Sequence, residues 1–312
     1  MPHELGFTRR AVFAAAFAGL VATACGAQPR RVPVAAPPPP PPPVTPTPTS
    51  PPPPPPNALA TSLLVGFCGA PHAKALGAMT GDLAAAGREL VRQAATFPKD
   101  RPVTPVVELI ATAAHRTPGP DGLYRTRATD ATIEQYLAEA RALKGVLLLN
   151  IQPGRADFLP EVQAYERWLG EPDVGVALDP EWAVEPGVVP GEKFGRTTGG
   201  ELDGVAAYLA GLANEQRLPD KIMVYHQVAA SIVRDEADLR AHPGVSVVKV
   251  VDGIGSAGAK KATWRTLVAG KPAHVLAGFK LFFDEDTRHG ATLMTPDEVL
   301  TLTPKPAYVV YE

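Results

Sequence analysis

Gly175-Val176-Ala177-Leu178-Asp179-Pro180-Glu181 is the stretch whose reading decides the fold. In an extended strand, successive side chains point to opposite faces. One face carries Val176 and Leu178, suited to packing beneath helices. The other carries Gly175, Ala177, Asp179 and Glu181. Small residues low on a strand, with carboxylates at its C-terminal end, suit an inward-facing strand of a parallel barrel. Such a barrel carries its site at the C-terminal mouth.

Seven more apolar runs of strand length surround this one. With Val174–Leu178 they are Leu63–Phe67, Pro105–Thr112, Val146–Gln152, Lys221–Gln227, Val245–Asp252, Val275–Phe283 and Ala307–Tyr311. Helical periodicity is expected between most of them, at Thr80–Ala95, Ala131–Leu143, Phe158–Leu169, Glu201–Arg217, Ala229–Arg240 and Lys260–Ala269. Asp130 and Asp157 stand where N-caps belong, and Pro219 and Pro243 follow two helix ends. Strands alternating with helices predict a parallel sheet. Eight units in the 255 residues of 58–312 match the size of an α/β (β/α)₈ TIM barrel. A doubly wound open sheet is the second architecture. No Gly-x-Gly-x-x-Gly follows the first strand to support it.

The 36 prolines of the 312-residue chain are unevenly spread. Sixteen fall between Pro33 and Pro56, in a stretch with no charge and no aromatic side chain. Such a stretch predicts extended polyproline II, so its roughly 24 residues would span about 75 Å. Before it, Arg9-Arg10 precedes the apolar run Ala11–Ala24, and Ala22-Thr23-Ala24-Cys25-Gly26 follows. This is an export signal, too short to be a mature membrane span. It resembles a bacterial lipoprotein signal, which implies that Cys25 is acylated and becomes the first mature residue. Thr8–Phe13 also resembles a twin-arginine signal, and plain secretion is the alternative. The organisation expected is a signal over 1–24, a lipidated cysteine and proline-rich linker over 25–57, and a barrel over 58–312. The protein is then extracytoplasmic and fastened to the cell membrane. Lipidation of Cys25 leaves Cys68 alone, so no intramolecular disulfide is expected.

Residues 1–57 carry a net charge of +3, which leaves −5 for the remainder of a chain totalling −2. A mildly acidic domain argues against nucleic-acid binding. There is no His-Glu-x-x-His and no cysteine pair, so neither a metal nor another cofactor is expected. No Gly-x-Ser-x-Gly elbow points to a serine esterase.

The chemistry resides in polar groups at strand ends. Asp179 and Glu181 are joined by Glu108 on the second strand and by Asn150 and Gln152 on the third. The fifth strand ends Tyr225-His226-Gln227, the sixth holds Lys249 and Asp252, and the seventh supplies Lys280. Converging polar groups with aromatics such as Trp182 and Tyr225 predict a sugar site. Glycoside hydrolysis needs one protonated carboxyl group and one ionised partner. Repulsion between Asp179 and Glu181 raises one of the two pKa values. The spacing alone leaves open which of Asp179 and Glu181 is the acid. Glu108, Asn150, Gln152, Trp182, Tyr225, His226, Asp252 and Lys280 are expected to bind substrate. Bland readings stand beside these. Glu108 would form a buried ion pair with Lys280 or Lys249, and His226 would be a hydrogen-bonded core residue. Asp284-Glu285-Asp286 would be a solvated loop. The long loop Ala183–Thr198 reads as a binding loop or lid.

Gly175-x-x-x-Asp179-x-Glu181-Trp182 resembles the end of the fourth-strand motif of chitinase-like family 18 glycoside hydrolases, and Met223-x-Tyr225 is similar to a later motif of that family. The resemblance implies that Glu181 is the acid, that Asp179 assists, and that Tyr225 binds an acetamido group. Lysozyme-like family 25 barrels share the Asp-x-Glu. Ala177 and Val174 stand where aspartates are expected, and His226 stands where an acid or amide is usual. The sequence therefore supports a glycoside hydrolase-like barrel acting on an envelope polysaccharide. A non-catalytic barrel that binds an envelope glycan or protein is the alternative, and a structural spacer is a third reading.

Overall fold

The computed structural model describes residues 57–312. The export signal, Cys25 and the proline-rich linker expected from the sequence lie outside these residues, save for Asn57 at the linker's end.

Eight parallel strands close into a barrel. They are β1 (Leu63–Gly69), β2 (Val103–Ala114), β3 (Val146–Ile151), β4 (Val174–Leu178), β5 (Lys221–Gln227), β6 (Val245–Val251), β7 (Leu276–Leu281) and β8 (Tyr308–Tyr311). Each pairs in parallel with the next, and β8 returns to β1 through Leu64 opposite Tyr308 and Phe67 opposite Tyr311. The eight strand runs read from the sequence are these eight strands, with ends displaced by a residue or two. The fold is the expected (β/α)₈ barrel.

The two-residue period of each strand divides the core in two. Val65, Val107, Leu149, Val176, Met223 and Phe279 face outward and pack beneath the helices. Leu64, Val106, Leu148, Ala177, Val224, Val250 and Val310 fill the lumen. Tyr308 also points inward. A Cβ on Gly66 would lie 2.6 Å from the Tyr308 hydroxyl, so only glycine leaves room for that ring. A turn of helix, Ala58–Thr61, places Leu59 against the lumen residues. Asn57 fixes that turn by donating to Asp220 O (3.1 Å) and Ser246 Oγ (2.9 Å).

The outer layer comprises α1 (Leu83–Ala94), α2 (Asp130–Ala142), α3 (Phe158–Gln163), α4 (Glu166–Leu169), α5 (Gly199–Gln216), α6 (Ala257–Val268) and α7 (Pro296–Leu300). Asp82 caps α1, and Thr198 with Glu201 forms a capping box on α5. The cap of α2 is Thr129, and Asp130 is its first helical residue. The single helix expected over 158–169 is two, broken at Ala164-Tyr165. The Tyr165 hydroxyl reaches inward to Ala111 O (2.7 Å) and Thr112 (2.9 Å), which fixes the ring at the break.

Residues 229–240 are not the expected helix. Val233–Arg234 pairs in parallel with Thr197–Thr198, Asp235 adopts φ +50°, and a 3₁₀ turn follows at Glu236–Asp238. Tertiary contacts override helical propensity here. Ile232 and Val233 are buried, and Glu236 is drawn under the barrel wall by Tyr225 and Lys249. Arg240 and His242 fasten the far end to Asp203 of α5.

Candidate functional site

The C-terminal mouth gathers most of the expected residues. Glu108, Asn150, Gln152, Asp179, His226, Asp252 and Lys280 are all buried. They form a continuous polar network. Asn150 Nδ2 donates to Glu108 Oε1 (2.9 Å) and to Asp179 Oδ1 (3.0 Å). Gln152 Nε2 donates to Asp179 Oδ2 (3.2 Å). His226 stands between two acids, with Nε2 3.1 Å from Glu108 Oε1 and Nδ1 3.0 Å from Asp252 Oδ2. Lys280 Nζ lies 3.4 Å from Asp252 and 2.5 Å from Glu312 Oε2. The buried pair expected for Glu108 with a lysine is thus a pair with His226, while Lys280 reaches Asp252 and Glu312.

Two network members were missed by the sequence reading. The Tyr308 hydroxyl donates to Glu108 Oε2 (2.8 Å), and Glu312 holds Lys280. The period of β8 carries the signal, because Tyr308, Val310 and Glu312 fall on one face.

Two expected residues face the other way. Tyr225 lies on the outer wall, and its hydroxyl donates to Glu236 Oε1 (2.5 Å). Lys249 also points outward, donating to Glu236 Oε2 (2.9 Å) and Leu267 O (2.6 Å). The alternation of β5 puts His226 in the lumen, and this necessarily turns Tyr225 out. A substrate-binding role for Tyr225 does not fit this position. Asp286 departs from the solvated loop expected around it. It is buried, paired with Lys260 (2.8 Å), and accepts from Gly255 N and Phe282 N (2.9 Å each). Cys68 is buried, and burial raises its thiol pKa well above the ordinary value.

Charge is distributed unevenly over the network. Burial alone would raise the Glu108 pKa, yet His226, Lys280 and the Tyr308 hydroxyl hold it down to about 2. Burial likewise opposes ionisation of His226, but Asp252 and Glu108 outweigh it and keep the ring an imidazolium. Glu181 is the contrasting group. It is half-buried, and its Oε2 is buried without a hydrogen-bond partner. Burial, then the charges of Asp179 and Asp252, push its pKa up to about 8. Burial also raises Asp179, against His226 and Lys280. Asp179 has two amide donors, however, and Glu181 Oε2 has none. A proton shared between them therefore resides on Glu181.

Glu181 opens onto a cavity of about 430 Å³ lined also by Trp182, Gly191, Glu192, Lys193 and Phe194. Its far wall is the loop 183–198. Gly195 N donates to Glu181 O (2.6 Å), and Arg155 Nε donates to Val188 O (3.0 Å). Arg116 pairs with Glu192 (3.1 Å) and Arg196 with Glu185 (2.9 Å). The expected binding loop thus folds over the carboxyl group that follows β4.

No family model matches the chain, and no curated protein matches it. Among solved structures, the chain is similar to the crystal structure of a GH18 chitinase from Pseudoalteromonas aurantia. Identity is 12%, 80% of this chain and 93% of that one are covered, and the TM-score is 0.35.

Proposed function

We propose that the barrel is a glycoside hydrolase acting on an envelope polysaccharide, with Glu181 as general acid and Asp179 as its ionised partner. One observation carries this reading. Glu181 lines an open cavity and holds a buried, unpartnered carboxyl oxygen, beside an Asp179 whose oxygens are satisfied by amides. Two neighbouring carboxyl groups whose surroundings push their proton affinities apart are the requirement for acid catalysis of glycosidic cleavage. As the C1–O bond breaks, the Glu181 proton passes to the leaving oxygen. The Asp179 carboxylate stabilises positive charge developing at the anomeric carbon, and water adds to C1, giving up a proton that restores the Glu181 carboxyl group. Neither residue is ion-paired to lysine or arginine among the described residues, and Asp179 is held in place by the amides of Asn150 and Gln152.

Ala177 favours a second reading, a barrel that binds a glycan without cleaving it. It is small and fully buried where the resemblance expects an acid. The two readings separate in one experiment. The chain and its Glu181→Gln variant are incubated with isolated wall glycans, and new reducing ends are counted. Release by the parent alone supports hydrolysis, whereas equal release removes Glu181 from the mechanism. Binding without release selects the second reading. Localisation is part of the proposal: Cys25 carries lipid and the proline-rich stretch holds the barrel off the membrane.

A further inference from the structure

We propose that the cavity between Trp182 and Phe194 is the leaving-group half-site, and that it takes a pyranose bearing a carboxylate. This rests on Glu181 being the acid, and it adds which side of the scissile bond lies where, and what sugar lies there.

The assignment starts from which residues line the cavity. Glu181 does, but Asp179, Gln152, His226 and Asp252 do not. The acid gives its proton to the leaving oxygen, whereas its ionised partner faces the anomeric carbon. Asp179 is buried with its oxygens held by amides, so the group of the pair that meets this cavity is the proton donor, and the sugar seated beside the donor is the leaving group. Its volume of about 430 Å³ falls within the roughly 300–1,000 Å³ of small-molecule sites.

The walls supply the chemistry. Phe194 is 66% exposed, and few large apolar side chains of the described residues are. An exposed aromatic on a well-anchored loop marks a contact surface. A pyranose offers a face of C–H groups that packs flat on an aromatic ring. Trp182 supplies a second ring beside the acid. Gly195 keeps the platform close to the acid, because a Cβ there would lie 2.2 Å from Ala183 O. The loop is therefore built before ligand arrives, which limits the ordering cost of binding.

Charge sets the preference. The acids Glu185 and Glu192 of this loop are each engaged by an arginine. Lys193 lines the cavity and makes no ion pair among the described residues. An ammonium group with no carboxylate of its own complements an anionic sugar over a neutral one.

The test uses the full chain and two soluble probes: a neutral hexamer of N-acetylglucosamine, and a hexasaccharide alternating N-acetylglucosamine with N-acetylmuramic acid, whose lactyl groups carry carboxylates. Binding is read by tryptophan fluorescence. Of the three tryptophans, Trp168 and Trp264 are buried and Trp182 is half-buried. Phe194→Ala should weaken binding about tenfold, with Phe194→Tyr restoring it and the melting temperature unmoved. Lys193→Ala should weaken only the carboxylated probe. Unchanged affinity in Phe194→Ala overturns the half-site even where the parent cleaves wall glycan. Equal effects of Lys193→Ala on both probes, or none, overturn the acidic preference. If the parent binds neither probe, the half-site is likewise overturned. Release of reducing ends by the parent but not by Glu181→Gln would then leave the hydrolase reading standing.

Discussion

Asn150 holds Asp179 at 3.0 Å while the same amide nitrogen holds Glu108 at 2.9 Å. One side chain on β3 thus couples the partner carboxylate at the mouth to the buried acid on β2. Hydrogen bonds to charged groups contribute roughly 1.5–3 kcal/mol each. Asn150→Leu keeps the branched shape, is somewhat larger and donates nothing. It should destabilise the barrel by about 2–4 kcal/mol, measured by urea unfolding. It should also raise the Asp179 pKa further, so the acidic limb of the activity profile moves to higher pH.

Glu181 should give activity an alkaline limit. Its folded pKa of about 8 means that the donor proton is lost as pH rises through that value. A folded pKa above the ordinary 4.5 also makes burial of this group increasingly costly between those two values. Glu181→Gln keeps the shape and cannot ionise. It should lower the rate about 10²- to 10⁴-fold. It should also melt higher than the parent at pH 8, with the difference vanishing near pH 4. Calorimetry across that range checks the sign.

His226 should be structural in a measurable way. Its removal leaves Glu108 and Asp252 buried without their shared cation, and breaking such a pair costs roughly 3–5 kcal/mol. Its folded pKa is raised well above the ordinary 6.5, so its contribution is full below that value and is lost only as pH rises through the raised one. Glu108, held down to about 2, contributes above its ordinary 4.5 and loses that contribution as pH falls toward 2. His226→Asn should therefore lower the melting temperature throughout pH 5–8. A parent-like melting temperature at pH 6 would contradict this role.

Gly195 should matter more to activity than to stability. A Cβ there would lie 2.2 Å from backbone oxygen of Ala183, so Gly195→Ala must displace the loop that walls the Glu181 cavity. Activity on wall glycan should fall about tenfold or more, with circular dichroism and melting temperature close to the parent.

Cys25→Ser should release the protein from membranes. Detergent phase partitioning of cells expressing the full chain would move it from the detergent to the aqueous phase. Retention of the variant in the detergent phase would contradict lipid anchoring through Cys25.

The sequence by itself determined the eight strands and the position of the carboxylates. Strand periodicity is local, and Val174–Leu178 reads as it folds because both of its faces are buried and its inward residues are small. It also brought Glu108, Asn150, Gln152, Asp179, Asp252 and Lys280 to one mouth, since closing a parallel barrel places all strand ends together. Tertiary structure alone decided which side of β5 faces inward. A β-strand offers two equivalent faces; His226 faces the lumen, while Tyr225 and Lys249 pack outside it on Glu236. That same packing replaced the helix expected over 229–240 with an extended segment. The resemblance pointed to Glu181 as the acid, but the spacing of the two carboxyl groups did not. Two carboxyl groups two residues apart are alike in a strand of letters, and only their surroundings distinguish them. Asp179 sits among amide donors, and Glu181 faces a cavity that offers it none.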